Sequence, residues 1–166
     1  MALHDLTRDL HHACEAHPVG QRMVAGGITP KEWADWLWAF RTLHGIVDDA
    51  LPAGMARDAQ LATDLSLLPR PTPSRAALRL AMQLLGQDCT GAAYVLHGAH
   101  LSGGRVLAPK MAKRGLPSVH TVYADPETAR AWLTAARARA ACAEQARATF
   151  ATLLSVMDEI HARPAD

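Results

Sequence analysis

The 166-residue sequence is short of aromatic residues, which make up 5% of it and include only two tyrosines and two phenylalanines. Alanine and leucine dominate instead, a mixture that favours helix over strand. No segment shows the strict apolar–polar alternation of a half-buried strand. The three cysteines, Cys14, Cys89 and Cys142, form no Cys-x-x-Cys pair and read as reduced, mostly buried thiols. No apolar run approaches the ~20 residues of a membrane span. The opening MALHDLTRDL carries charges where a secretory signal needs an apolar stretch. A soluble cytoplasmic protein with no membrane association is the expectation. A net charge of +1 gives no field for nucleic acid. Fixed-period repeats, a low-complexity tail and a Gly-x-Gly-x-x-Gly loop are also lacking, so no dinucleotide site is expected.

What is there is helical periodicity, and residues 1–166 read as a single all-α domain. Leu3, Leu6, Leu10 and Cys14 predict a first helix over 3–16, ended by His17-Pro18. A short helix over 19–25 stops at Gly26-Gly27. Thr29-Pro30-Lys31-Glu32 combines a capping box with proline in the first turn. The helix it opens runs to about residue 50 and sends Trp33, Trp36, Phe40 and Leu43 into the core. Further helices are expected over 55–67, from a Ser74 cap to Gly86, and from Thr90 to Lys113 with an interruption at Gly103-Gly104. The last helical region opens at Asp125-Pro126-Glu127 and reaches about residue 162, in one or two pieces. The stretch Pro69–Pro73 is a loop, too short for an interdomain linker.

Nine histidines are the unusual count. His4, Arg8, His11 and Glu15 step by four, three and four, which lines them along one side of the first helix. Glu15 could accept the N–H of His11 and so strengthen its other nitrogen as a metal ligand. The same four residues also fit a solvated face. His12 points about a third of a turn away. His44 reads as a satisfied core or cleft histidine. His17 ends a helix, and His120 and His161 lie near helix ends where a charged imidazole is tolerated.

The segment from Tyr94 to Leu107 holds Gly98, Gly103 and Gly104, with small Ala99 and Ser102 between them. Glycine inside a helix costs about 1 kcal/mol relative to alanine. Either a flat, bulky group lies against this backbone, or the glycines serve close helix packing or a helix end.

Together these segments resemble the haem oxygenase family. Thr7-Arg8-Asp9-Leu10-His11-His12-Ala13-Cys14-Glu15 is similar to that family's Thr-x-x-x-His-x-x-x-Glu motif. Gly26–Trp33 resembles the start of its next helix. Ala93-Tyr94 and Leu101-Ser102-Gly103-Gly104 resemble its distal helix, and Trp132–Arg137 matches more loosely. The resemblance implies a helical fold that holds haem between the first helix and the Gly-rich helix. It implies His11 as the proximal iron ligand and Glu15 as its hydrogen-bond partner. Arg8, Tyr94 and Arg137 would hold the propionates, with Arg139 as a neighbour of the last. Gly98, Gly103 and Gly104 would form the distal ceiling. The family's lysine one turn before the arginine is Leu133 here. Its distal Gly-Asp pair is Ala99-His100. His100 could organise proton-delivering waters, bind iron as a sixth ligand, or be a partly exposed helix residue. His97 could share either role or pack against a neighbour.

The implied activity is cleavage of haem to biliverdin, carbon monoxide and ferrous iron. It would use O2 and electrons from a separate ferredoxin or flavoprotein reductase. The alternative is a haem sensor or carrier without turnover, with His100 on the iron. A di-iron relative would need paired Glu-x-x-His ligands. Glu159-Ile160-His161, one residue short of that spacing, lies near the chain end and has no partner pair. A structural helical domain without a pocket is the remaining option.

Overall fold

The computed structural model describes residues 2–163. Its helices are α1 (Leu3–Ala16), α2 (Pro18–Ala25), α3 (Pro30–Val47), α4 (Asp58–Ser66), α5 (Arg75–Leu84), α6 (Thr90–Gly98), α7 (Gly104–Lys113), α8 (Pro126–Arg137) and α9 (Ala143–His161). A π-helical turn, Ala99–Gly103, joins α6 to α7. Single 3-10 turns stand at Asp48–Ala50, Val119–Thr121 and Ala140–Cys142. There is no strand among the described residues. No helix among them is long and apolar enough to cross a membrane.

The boundaries follow local chemistry. His17 turns extended before Pro18, and its Nδ1 then accepts from the Val19 N–H that opens α2. Gly26, at φ 73°, ends α2 in the left-handed region that glycine tolerates. At the start of α3, Glu32 N–H donates to Thr29 Oγ1 at 3.2 Å while Thr29 N–H donates to Glu32 Oε2 at 2.8 Å. Both halves of the expected capping box are present. Ser74 caps α5 and Asp125 caps α8.

Three expectations shift. The helix expected over 55–67 begins only at Asp58. The carbonyls of Gly54, Met55 and Ala56 accept from the Arg57 guanidinium instead of from a helical ladder. The interruption expected at Gly103-Gly104 is a π turn that starts at Ala99. Gly98, Gly103 and Gly104 all keep ordinary helical angles, so the backbone stays helical from α6 through the π turn into α7 and none of them breaks it. The cysteines are free but half-buried rather than mostly buried.

α3 forms the centre. Trp33, Leu37, Phe40, Leu43 and Val47 are buried on it, packed with residues of α5, α6 and α9. Each large apolar side chain buried there contributes about 1.5–3 kcal/mol. Trp33 also donates its indole N–H to Pro117 O at 2.8 Å. α9 packs along α1 on one side and α5 and α6 on the others. It approaches α6 so closely that a Cβ at Gly91 would stand 2.5 Å from the Cys142 carbonyl oxygen.

That contact separates two glycines in one helical stretch. Gly91→Ala is expected to destabilise the fold by about 1–3 kcal/mol, because backbone must move. Thermal unfolding should fall by about 2–4 °C for each kcal/mol lost. A Cβ at Gly103 meets nothing within 4 Å. Gly103→Ala should therefore be neutral or gain up to about 1 kcal/mol from helix propensity. Equal losses in both variants would contradict this packing.

Candidate functional site

Leu3, Thr7, Leu10 and Cys14 form the seam by which α1 meets the rest of the molecule. At about 100° per residue, His11 lies at the edge of that seam, with Glu15 and Arg8 further round and His12 a further third of a turn away. The His11 side chain is 56% exposed. Its ring stands edge-on to Phe150 of α9, with centroids 5.8 Å apart. His11 Nδ1 lies 3.7 Å from Glu15 Oε2, beyond hydrogen-bond range. The two residues face each other as expected, without the clasp. Arg8 donates to Asp5 Oδ1 at 2.6 Å.

The Gly-rich helix presents two different sides. Cβ atoms built on Gly98 and Gly103 meet nothing within 4 Å. One at Gly104 would stand 2.8 Å from Thr121 Cβ. Gly104 therefore serves packing, while Gly98 and Gly103 leave open space beside the backbone. Tyr94, one turn before Gly98, is half-buried. Burial pushes its hydroxyl pKa up, with Arg137 of α8 opposing and Asp5 of α1 adding to the shift. The phenol thus lies within the fields of α1 and α8, and α8 touches both α1 and α6. Asp5 is in turn the hydrogen-bond partner of Arg8. Arg139 is engaged elsewhere, with Asp88 and Thr90.

Behind the Gly-rich helix lies a polar core. His44, His97, His100 and His120 are 0%, 0%, 4% and 2% exposed. His100 is thus not the partly exposed residue considered from the sequence. Its Nε2 lies 2.8 Å from His44 Nε2. His44 Nδ1 lies 2.9 Å from Asp48 Oδ1, and the same oxygen lies 3.1 Å from His97 Nε2. His97 Nδ1 meets the Tyr123 hydroxyl at 2.7 Å. One proton assignment satisfies every pair. His44 Nδ1–H and His97 Nε2–H donate to Asp48, His100 Nε2–H donates to His44, and Tyr123 O–H donates to His97. Asp48 Oδ2 accepts the Arg57 N–H at 2.6 Å, and the Arg57 guanidinium lies 4.1 Å from the centre of the Tyr123 ring.

His120 does not sit at a solvated helix end. Its Nδ1 is 2.5 Å from Asp64 Oδ2, and its ring stands 4.9 Å from that of His100. A cavity of about 60 Å³, room for a few waters, is lined by Trp36, Phe40, His100, Gly104, His120 and Thr121. Four contributors escaped the sequence reading: Asp48, Arg57, Asp64 and Tyr123. Only the i, i+4 spacing of His44 and Asp48 offered a signal.

Burial lowers the His44 pKa to about 4, although the Asp48 hydrogen bond and charge oppose the shift. Burial also lowers His100, reinforced by its imidazole neighbours. Burial alone would raise Asp48, but the hydrogen bonds from His44 and His97 outweigh it and hold the carboxyl below its usual range.

No family model and no curated protein matches the chain. Among solved structures, the chain is similar to heme oxygenase-1 of the cyanobacterium Synechocystis sp. PCC6803, crystallised in complex with heme. The TM-score is 0.75 at 14% identity, over 96% of this chain and 89% of that one. The all-helical architecture is therefore the haem oxygenase fold.

The polar core makes stability pH-dependent. Unfolded, His44 titrates near 6.5, and folded near 4, so the unfolded chain binds the extra proton first. Stability should be level above about pH 7 and fall by on the order of 3 kcal/mol towards pH 4 from His44 alone. Asp48, also depressed by folding, adds to the loss at lower pH. Urea unfolding measured across this range checks it. Stability that stays level down to pH 5 would contradict a neutral, buried His44.

Proposed function

We propose that the chain binds haem in the groove between α1 and the Tyr94–Gly98–Gly103 side of α6 and its π turn, and cleaves it to biliverdin, carbon monoxide and ferrous iron. The open space beside Gly98 and Gly103 is the observation that carries this reading. Side chains there would gain helix propensity, so two bare backbone positions facing no neighbour fit a flat ligand lying against them. The likeness to a fold crystallised in complex with heme supports haem as that ligand.

His11 is the proposed proximal ligand. An exposed ring at the rim of the α1 seam, with Glu15 one turn on, leaves a nitrogen free to meet iron. Arg8, Tyr94 and Arg137 suit the carboxylate end, since forked guanidinium donors and a phenol bind propionate oxygens well. Haem, when bound, would supply both the oxygen-activating iron and the bond to be broken. His100 is a positioning residue in this reading. Its Nε2 is committed to His44 and it borders the small cavity, so it can order waters that carry protons. That commitment disfavours His100 as a sixth iron ligand, the basis for a sensor or carrier without turnover. Electrons would come from a separate ferredoxin or flavoprotein reductase, in keeping with the lack of a dinucleotide loop.

Haem titration followed by reduction in air tests both halves. The wild type should bind one haem with a Soret band. His11→Ala should lose that band or weaken binding at least tenfold, with partial recovery in added imidazole. Gly103→Val should stay folded and bind haem poorly. Biliverdin formed on reduction in air supports cleavage, and haem that survives it would reduce the function to binding. An unchanged spectrum in His11→Ala would remove His11 as the ligand.

A further inference from the structure

The polar core contains a second constellation that the haem groove does not use. We propose that His44, Asp48 and His97 form a binding site for one divalent first-row transition ion of the Fe(II) or Zn(II) class. One ligand atom from each of His44, Asp48 and His97 lies within 4.8 Å of the other two. Both nitrogens stand about as far from the carboxylate oxygen, at 2.9 and 3.1 Å, as two ligands at right angles on one metal. Ligands about 2.1 Å from an ion are then about 3 Å apart. Two imidazoles and one carboxylate are the donor set of non-haem iron and catalytic zinc sites, with positions left for water. Calcium and magnesium prefer oxygen ligands and suit it poorly.

The surroundings fit an ion as well as they fit protons. Ligating imidazoles need a partner on the far nitrogen, and a ligating carboxylate needs one on the far oxygen. Tyr123 stands 2.7 Å from His97 Nδ1, and His100 stands 2.8 Å from His44 Nε2. Arg57 N–H occupies Asp48 Oδ2. On binding, the ring protons of His44 and His97 shift to their far nitrogens, and that of His100 shifts to Nδ1. The Tyr123 oxygen and His100 Nε2 then accept, and no proton has to leave. As a packing device alone the cluster is costly, because buried polar groups gain little over apolar ones of the same shape.

His11, His12 and Glu15 also bring three donors together, on an exposed helix face. The test must separate that surface trio from the buried one. Chelator-treated, haem-free protein is titrated with Co(II), and visible d–d bands and calorimetry report the uptake. One equivalent is expected to bind with micromolar affinity or better. His97→Gln and Asp48→Asn should weaken it at least 100-fold, with folding checked by circular dichroism. Tyr123→Phe, which spares all three ligands, should weaken it about 10- to 100-fold. His12→Ala should leave it unchanged. No bands in the wild type, bands that persist in folded His97→Gln, or bands lost in His12→Ala would overturn the site. None of these outcomes depends on haem binding.

Discussion

A single carboxylate oxygen, Asp48 Oδ1, receives hydrogen bonds from two fully buried imidazoles on different helices. His44 ties it to α3, and His97 ties it to α6. The bond between His44 and His100 extends the tie to the π turn, and Arg57 and Tyr123 close it from the loops. In an interior of low dielectric such a network is strong when complete and costly when any member is missing. It therefore fixes how α6 and its π turn lie on α3.

That placement sets what the Gly-rich helix shows on its other side. A π turn inserts an extra residue into the helical ladder, and such turns concentrate at functional sites. Here it lets His100 and Gly104 face the polar core while Gly98 and Gly103 face open space. The same short segment is thus a packing surface on one side and a bare backbone wall on the other. Gly98 stands one helical turn after Tyr94, whose hydroxyl feels the charges of Asp5 of α1 and Arg137 of α8. The proposed ligand groove and the polar core are two faces of one element.

Much of the fold was legible because it rests on local rules. The Thr29–Glu32 capping box, the Ser74 and Asp125 caps, and the stop at Gly26 are short-range chemistry, and each appears where the sequence places it. The start of α4 lies later than periodicity predicts because Arg57 competes for backbone carbonyls through its side chain, which no periodicity reports. His11, Glu15, Arg8 and Tyr94 were visible as a spaced pattern. The exposure of His11 and the long His11–Glu15 distance were not, because they depend on what α8 and α9 leave uncovered.

The sequence by itself determined the helical class, most helix ends, the apolar face of α3 and the glycine-rich character of the segment from Gly98 to Gly104. These follow from propensity, capping and the 3.6-residue period, all of which act within a few residues. Tertiary structure alone decided which glycines are bare and which are packed, and that His100 turns inward to His44. It also joined Asp48 to His97, 49 residues away, and Asp64 to His120, 56 away. Such contacts are set by how helices cross, and a buried imidazole and an exposed one look alike in a string of letters.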